Sequence, residues 1–187
     1  MKRLIIFIFL LATVQLFAQI SPNYISPVKV GCMNLQAGKV FYQNAMGNAG
    51  NLQKLAERFK SKEQVYSVFN INSVTPTEIK GTITNFQLNI DQYGVKRKKL
   101  APFLTRPLNA TFNIESVEGK NRVTVGSIWF KNLPGDKSLA HHNIETLITS
   151  KNGTVFLKKK ENLKSIAVIE KNLDELFKAA TTTVIGF

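Results

Sequence analysis

Few residues in this chain have the types and spacing that chemistry requires. His141 and His142 precede Glu145 at i, i+4 and i, i+3, so a helix there would pair one histidine with a carboxylate on a shared face. Zinc needs three or four ligands, and the chain has only two histidines and one cysteine. The H-E-x-x-H spacing of helical zinc sites does not occur. Neither a metal nor another cofactor is therefore expected. Cys32 has no marked base beside it, and no G-x-S-x-G elbow is found. Gly47-Asn48-Ala49-Gly50 lies where a phosphate loop would, but lacks the Lys-Ser/Thr that follows in one. Glycoside hydrolysis needs two acids facing one cleft. With 12 acidic residues against 25 basic ones, the acids read as surface counter-charges. No catalytic residue is assigned.

The cations are the physical anomaly, at a net charge of +13. Lys96-Arg97-Lys98-Lys99 with Arg106 forms one dense run, and Lys158-Lys159-Lys160 with Lys164 forms another. Lys96, Arg97, Lys98, Lys99 and Arg106 are the candidate anion-binding residues. Charge attraction suits them to an anionic envelope component such as the phosphates of lipopolysaccharide. Nucleic acid is disfavoured, because the aromatics that would stack on bases are not interleaved with these lysines. The competing reading is that both runs are solvated loops.

Export sets the compartment. Lys2 and Arg3 precede the apolar stretch Leu4 to Phe17, and Leu16-Phe17-Ala18 ends on a small residue, so 1–18 reads as a cleaved signal peptide. The apolar run falls short of the roughly 20 residues that a permanent spanning helix needs. No transmembrane span is then expected after cleavage, and the expected location is the periplasm, the cell surface or the medium. A lone cysteine excludes an internal disulfide framework, so stability must come from packing.

Which elements would position these residues follows from periodicity. Residues 19–37 mix Pro, Ser, Asn and Gly and read as an extended leader before a single domain over 38–180. Lys39 to Met46 reads as a first strand. Leu52, Leu55, Ala56 and Phe59 make one apolar stripe, predicting a helix over 51–60 with Asn51 or Asn48 as its cap. Val65 to Ile71 and Glu78 to Ile90 read as strands, with a bend at Gly81. Residues 91–107 form a loop whose apolar residues dock while its cations stay in water. Asn109 to Lys131 carries the firmest signal, a hairpin with Phe112 and Ile114 on one strand. On its return, Val123, Val125 and Trp129 share one face, with Thr124, Ile128 and Phe130 on the other. Within 132–160, Ile144 to Leu157 reads as a small hairpin about Asn152-Gly153 or as a helix ending at Gly153. Leu163 to Ala180 recurs every three to four residues, a second amphipathic helix over 162–180, before a β-prone tail at 181–187.

This order of elements resembles an uncharacterised family of bacterial secreted proteins, a domain of unknown function with a TATA-box-binding-protein-like fold. Gly38-Lys39-Val40-Phe41-Tyr42, Leu52 to Phe59, Phe69 to Gly81-Thr82-Ile83-Thr84, and Ala110 to Phe130 carry the resemblance. It implies a fold and no site residues. The expected fold class is α+β, a curved antiparallel sheet of about five strands with two helices packed on one face. The expected function is a non-catalytic exported module that binds an envelope component or partner protein through its basic loops. The alternative is a small periplasmic hydrolase with an unidentified active site. A pocket gathering His141 or His142 with acids would favour the enzyme. A sheet face of exposed apolar residues ringed by lysines would favour the module.

Overall fold

The structure is a computed structural model that describes residues 28–48, 51–60, 67–94, 96–133, 135, 141–150 and 153–181. The signal sequence expected at 1–18 and the tail after Thr181 lie outside the described residues. The strands are β1 (Val28–Val30), β2 (Met33–Gln36), β3 (Lys39–Asn48), β4 (Phe69–Val74), β5 (Glu78–Phe86), β6 (Leu108–Val117), β7 (Lys120–Lys131) and β8 (His141–Asn143). The helices are α1 (Leu52–Lys60), α2 (Ile144–Ile148) and α3 (Lys160–Thr181). The sheet runs β1-β2-β3-β7-β6-β5-β4, with β8 also on β7, and every pairing is antiparallel.

The sheet has eight strands and not the smaller number expected. Two of the additional strands fall in residues read as an extended leader. There Gly31, at φ 61°, turns β1 into β2 and so buries Met33 and Leu35. The third is β8, which joins β7 beyond the last β3–β7 pair. At the other side of the sheet, β4 runs from Phe69 to Val74, three residues past Ile71, where the predicted strand ends.

One row of residues explains the inner face. Met33, Tyr42, Val125, Phe112, Gly81 and Ile71 stand opposite one another across six strands. Phe59 of α1 and Phe177 of α3 meet Phe69 and Phe112 above this row, with ring centroids 4.4 to 5.8 Å apart. Burying each ring contributes roughly 1.5–3 kcal/mol. Gly81 makes room for this cluster, since a Cβ there would lie 2.6 Å from the Phe112 ring and 2.4 Å from the Asn70 carbonyl. The two long helices therefore pack on one face, as expected. Asn51 caps α1, accepting at its Oδ1 from the N–H groups of Gln53 and Lys54 at 2.9 and 3.3 Å.

The central hairpin turns on Glu118 and Gly119, both at positive φ as a two-residue turn requires. Its return strand departs from simple alternation. Ser127 has a φ of 47°, and the β6–β7 register shifts between Asn109 and Thr111. This bulge puts Ile128 and Phe130 in the core and leaves Trp129 half-buried on the open face, the reverse of the two-residue reading. Residues 144–157 take neither expected form in full: the helix stops before Gly153, and a single bridge stands where a hairpin was expected. Ile144–Ile148 is a short helix, and the Thr149–Phe156 bridge then closes a small loop with Gly153 at φ 62°.

Candidate functional site

The basic loop is built by its apolar residues. Between β5 and β6 the chain makes three short 3-10 turns, at Asp91–Tyr93, Arg97–Lys99 and Pro102–Thr105. Leu88, Ile90, Leu100, Ala101, Phe103 and Leu104 are buried and hold it to the core. Three side-chain bonds then tie it along α3. The Asn89 N–H donates to Asn172 Oδ1 at 2.7 Å, Gln92 Nε2 to Glu175 Oε1 at 3.2 Å, and the Ala101 N–H to Ser165 Oγ at 3.0 Å. The loop is thus tied first to the C-terminal half of the helix and then, through Ala101, to its second turn.

This path separates the predicted cations into different roles. Lys96 and Lys99 are exposed. Arg97 is engaged, its Nε and Nη2 donating to the two oxygens of Asp91 at 3.0 and 2.6 Å. That fork holds the Asp91 carboxyl below its usual range and raises the guanidinium above its own. Arg106 is half-buried, and its buried Nε finds no hydrogen-bond acceptor among the described residues. Nothing is said of the Lys98 side chain, which lies outside the described ones. The second run, Lys158 to Lys160, is exposed and leads into α3, and half-buried Lys164 follows in its second turn. Ala101 is two residues beyond Lys99, and Ser165 directly follows Lys164. Their hydrogen bond therefore brings both cation runs to the N-terminal end of α3.

The histidines take other positions. His141 and His142 stand on β8 and Glu145 on α2, so the helix that would pair them on one face does not form. Glu145 Oε1 accepts instead from the Val40 N–H at 3.0 Å. His141 lies flat on Trp129, with centroids 4.2 Å apart and planes 2° apart, and Lys131 Nζ sits 5.2 Å from the Trp129 ring. No group of three His, Cys, Asp or Glu among the described residues is placed to hold a metal ion. The open sheet face is polar rather than apolar. Gln43 Nε2 donates to Thr124 Oγ1 at 3.2 Å, Lys80 pairs with Glu78 at 2.8 Å, and Arg122 pairs with Glu115.

Sequence reasoning missed one buried polar cluster. Glu170 and Asp174, four residues apart on α3, face the β1–β3 end of the sheet. Glu170 Oε1 accepts from the Cys32 N–H at 3.0 Å, and a Cβ on Gly31 would lie 2.2 Å from Glu170 Oε2. Asp174 Oδ1 accepts from Tyr42 Oη at 2.5 Å and from Asn44 Nδ2 at 2.9 Å. Burial, then the Asp174 hydrogen bond and charge, push the Tyr42 hydroxyl well above its ordinary value. Burial followed by the Glu170 and Asp174 charges raises the Cys32 thiol, which holds it protonated and poorly nucleophilic. The signal available was two acids at i, i+4 inside an apolar helix stripe.

No protein-family model and no curated protein matches this chain. Two solved structures do. A TBP-like protein from Parabacteroides distasonis is 19% identical and superposes with a TM-score of 0.51, covering 81% of this chain and 99% of its own. A DUF4468 family protein from Bacteroides ovatus is 12% identical with a TM-score of 0.52, covering 84% of this chain and 95% of its own. At these identities the likeness speaks to fold. This chain has the α+β, TBP-like fold of those two structures.

Proposed function

We propose that this protein is an exported, non-catalytic binding module that engages an anionic component of the cell envelope. The surface assigned to this role is the N-terminal end of α3, where Lys158, Lys159, Lys160 and Lys164 stand and to which the segment carrying Lys96 and Lys99 is tied. The observation that carries the reading is the Ala101–Ser165 hydrogen bond, which unites two lysine runs that are remote in sequence. Exposed ammonium groups on separate segments suit a multivalent anion such as a phosphorylated glycolipid, which can contact several of them at once. The positive end of the α3 dipole adds to the same field. Arg97, forked to Asp91, supplies structure more than attraction, and Arg106 is half-buried.

The test is retention of residues 19–187 on immobilised lipopolysaccharide across a salt series. A variant with Lys96, Arg97, Lys98 and Lys99 changed to Glu runs beside it. Retention should fall as salt rises, because exposed charges are screened over about 10 Å at 0.1 M salt. The variant should be lost from the column. Equal, weak retention of both proteins would overturn the proposal.

A further inference from the structure

A second site lies on the opposite half of α3, away from the lysine corner and independent of it. A depression of about 490 Å³ opens between the segment that follows β5 and the C-terminal half of that helix. Its volume is within the range of small-ligand clefts, about 300–1,000 Å³. Carboxamides dominate its walls, with Asn85, Gln87 and Gln92 among them, and Glu175 is the single charged group among the described lining residues. Phe86 and Leu176 provide apolar surface. No basic residue is among the described residues that line it.

The walls are fixed before any ligand arrives. Asn172, which is buried, accepts from the Asn89 N–H and donates from Nδ2 to the Val168 carbonyl at 2.8 Å. Asn89 Nδ2 in turn donates to Gln92 Oε1 at 2.8 Å, and Gln92 reaches Glu175. At the rim, Asn85 is held at φ 55° by the bond from its N–H to Asn109 Oδ1, at 3.0 Å. There the β5–β6 register shifts between Ile83 and Phe86, so the strand ends in a bulge of the kind that re-aims side chains. Strained backbone held by a buried partner accompanies binding sites. The side chains of Asn85 and Gln87 make no hydrogen bond to another described residue, which leaves their donors and acceptors for a ligand.

We infer that this depression binds a neutral saccharide. Each carboxamide offers both a donor and an acceptor, and Glu175 offers acceptors only. A ring of adjacent hydroxyl groups, each donor and acceptor at once, satisfies that mixture, while its C–H face packs on Phe86. With Glu175 in the wall and no lysine or arginine among the described lining residues, phosphorylated and carboxylated ligands are disfavoured. A peptide docking through its backbone would be met by a strand edge, whereas the groups gathered here are side chains.

Titration of a panel of neutral mono- and disaccharides into residues 19–187, followed by isothermal calorimetry, tests the site. At least one sugar should bind with a Kd of about 1 mM or tighter. Gln87→Ala and Glu175→Gln, both at exposed positions, should each weaken it about ten-fold, a loss of about 1.4 kcal/mol, with unchanged circular dichroism. The Lys96–Lys99 charge reversal should leave it intact. No binding by any sugar of the panel, binding that neither variant weakens, or a preference for peptides over sugars would overturn the inference.

Discussion

Removing the Asp174 carboxylate tests how α3 is locked to the sheet. Tyr42 is completely buried and its hydroxyl donates to Asp174 Oδ1 at 2.5 Å. Asp174→Ala strands that hydroxyl in the core, and an orphaned buried donor costs about 1–3 kcal/mol. The Asn44 bond is lost as well, but Asn44 is half-buried and water can replace its partner. The expected loss is about 3 kcal/mol, a fall of about 6–12 °C in Tm for a domain of this size. Tyr42→Phe removes the donor and leaves Asp174 its bond from Asn44, so it should cost only about 1 kcal/mol. The double variant has no stranded hydroxyl and should recover about 1–2 kcal/mol relative to the sum of the single losses. Urea unfolding at constant m-value reads all three. Equal losses for the two single variants, with no coupling between them, would refute the reasoning.

Three further outcomes follow from the same geometry. The Tyr42 hydroxyl has its pKa raised in the folded state, so above the ordinary tyrosine value of 10.0 the unfolded chain binds fewer protons than the folded one. Stability is therefore full below pH 10.0 and falls as pH rises past it, and Tyr42→Phe should flatten that decline in alkaline urea titrations. Gly81→Ala forces a methyl group against the Asn70 carbonyl and the Phe112 ring, and should cost about 1–3 kcal/mol in the same assay. His141→Ala uncovers one face of Trp129, the chain's single tryptophan, and should shift its fluorescence emission to longer wavelength without changing Tm appreciably.

Local patterns carried the elements they could carry. The stripe Leu52, Leu55, Ala56, Phe59 needs no tertiary information, and α1 forms where it predicts. The hairpin signal was equally local, but alternation presumes an unbroken register. One left-handed residue, Ser127, reversed the faces of Ile128, Trp129 and Phe130. β1 and β2 were illegible because they are short and are fastened from far away. Glu170 receives the Cys32 N–H across 138 residues of sequence. The loop from 91 to 107 shows the same division. Its docking apolar residues could be read from their types, but the Ala101–Ser165 contact that joins the two lysine runs could not. The amide-lined depression left no trace in sequence, since Asn85 and Asn172 come together only when the loop lies along α3.

Both proposed surfaces are placed by α3. Its first turns collect the cations, and its last turns, with Glu175 and Leu176, form one wall of the amide-lined site. A module built this way would offer a charged contact and a neutral contact at opposite ends of one helix.

The central claim is that the two lysine runs act as one surface, and reversing the second run alone tests it most directly. Lys158, Lys159 and Lys160 are changed to Glu while residues 96–99 stay intact, and retention on lipopolysaccharide is measured at low and high salt. The account predicts that this variant loses salt-sensitive retention as fully as the Lys96–Lys99 reversal does. Retention unchanged from the native protein would contradict it, and would return both runs to the status of solvated loops.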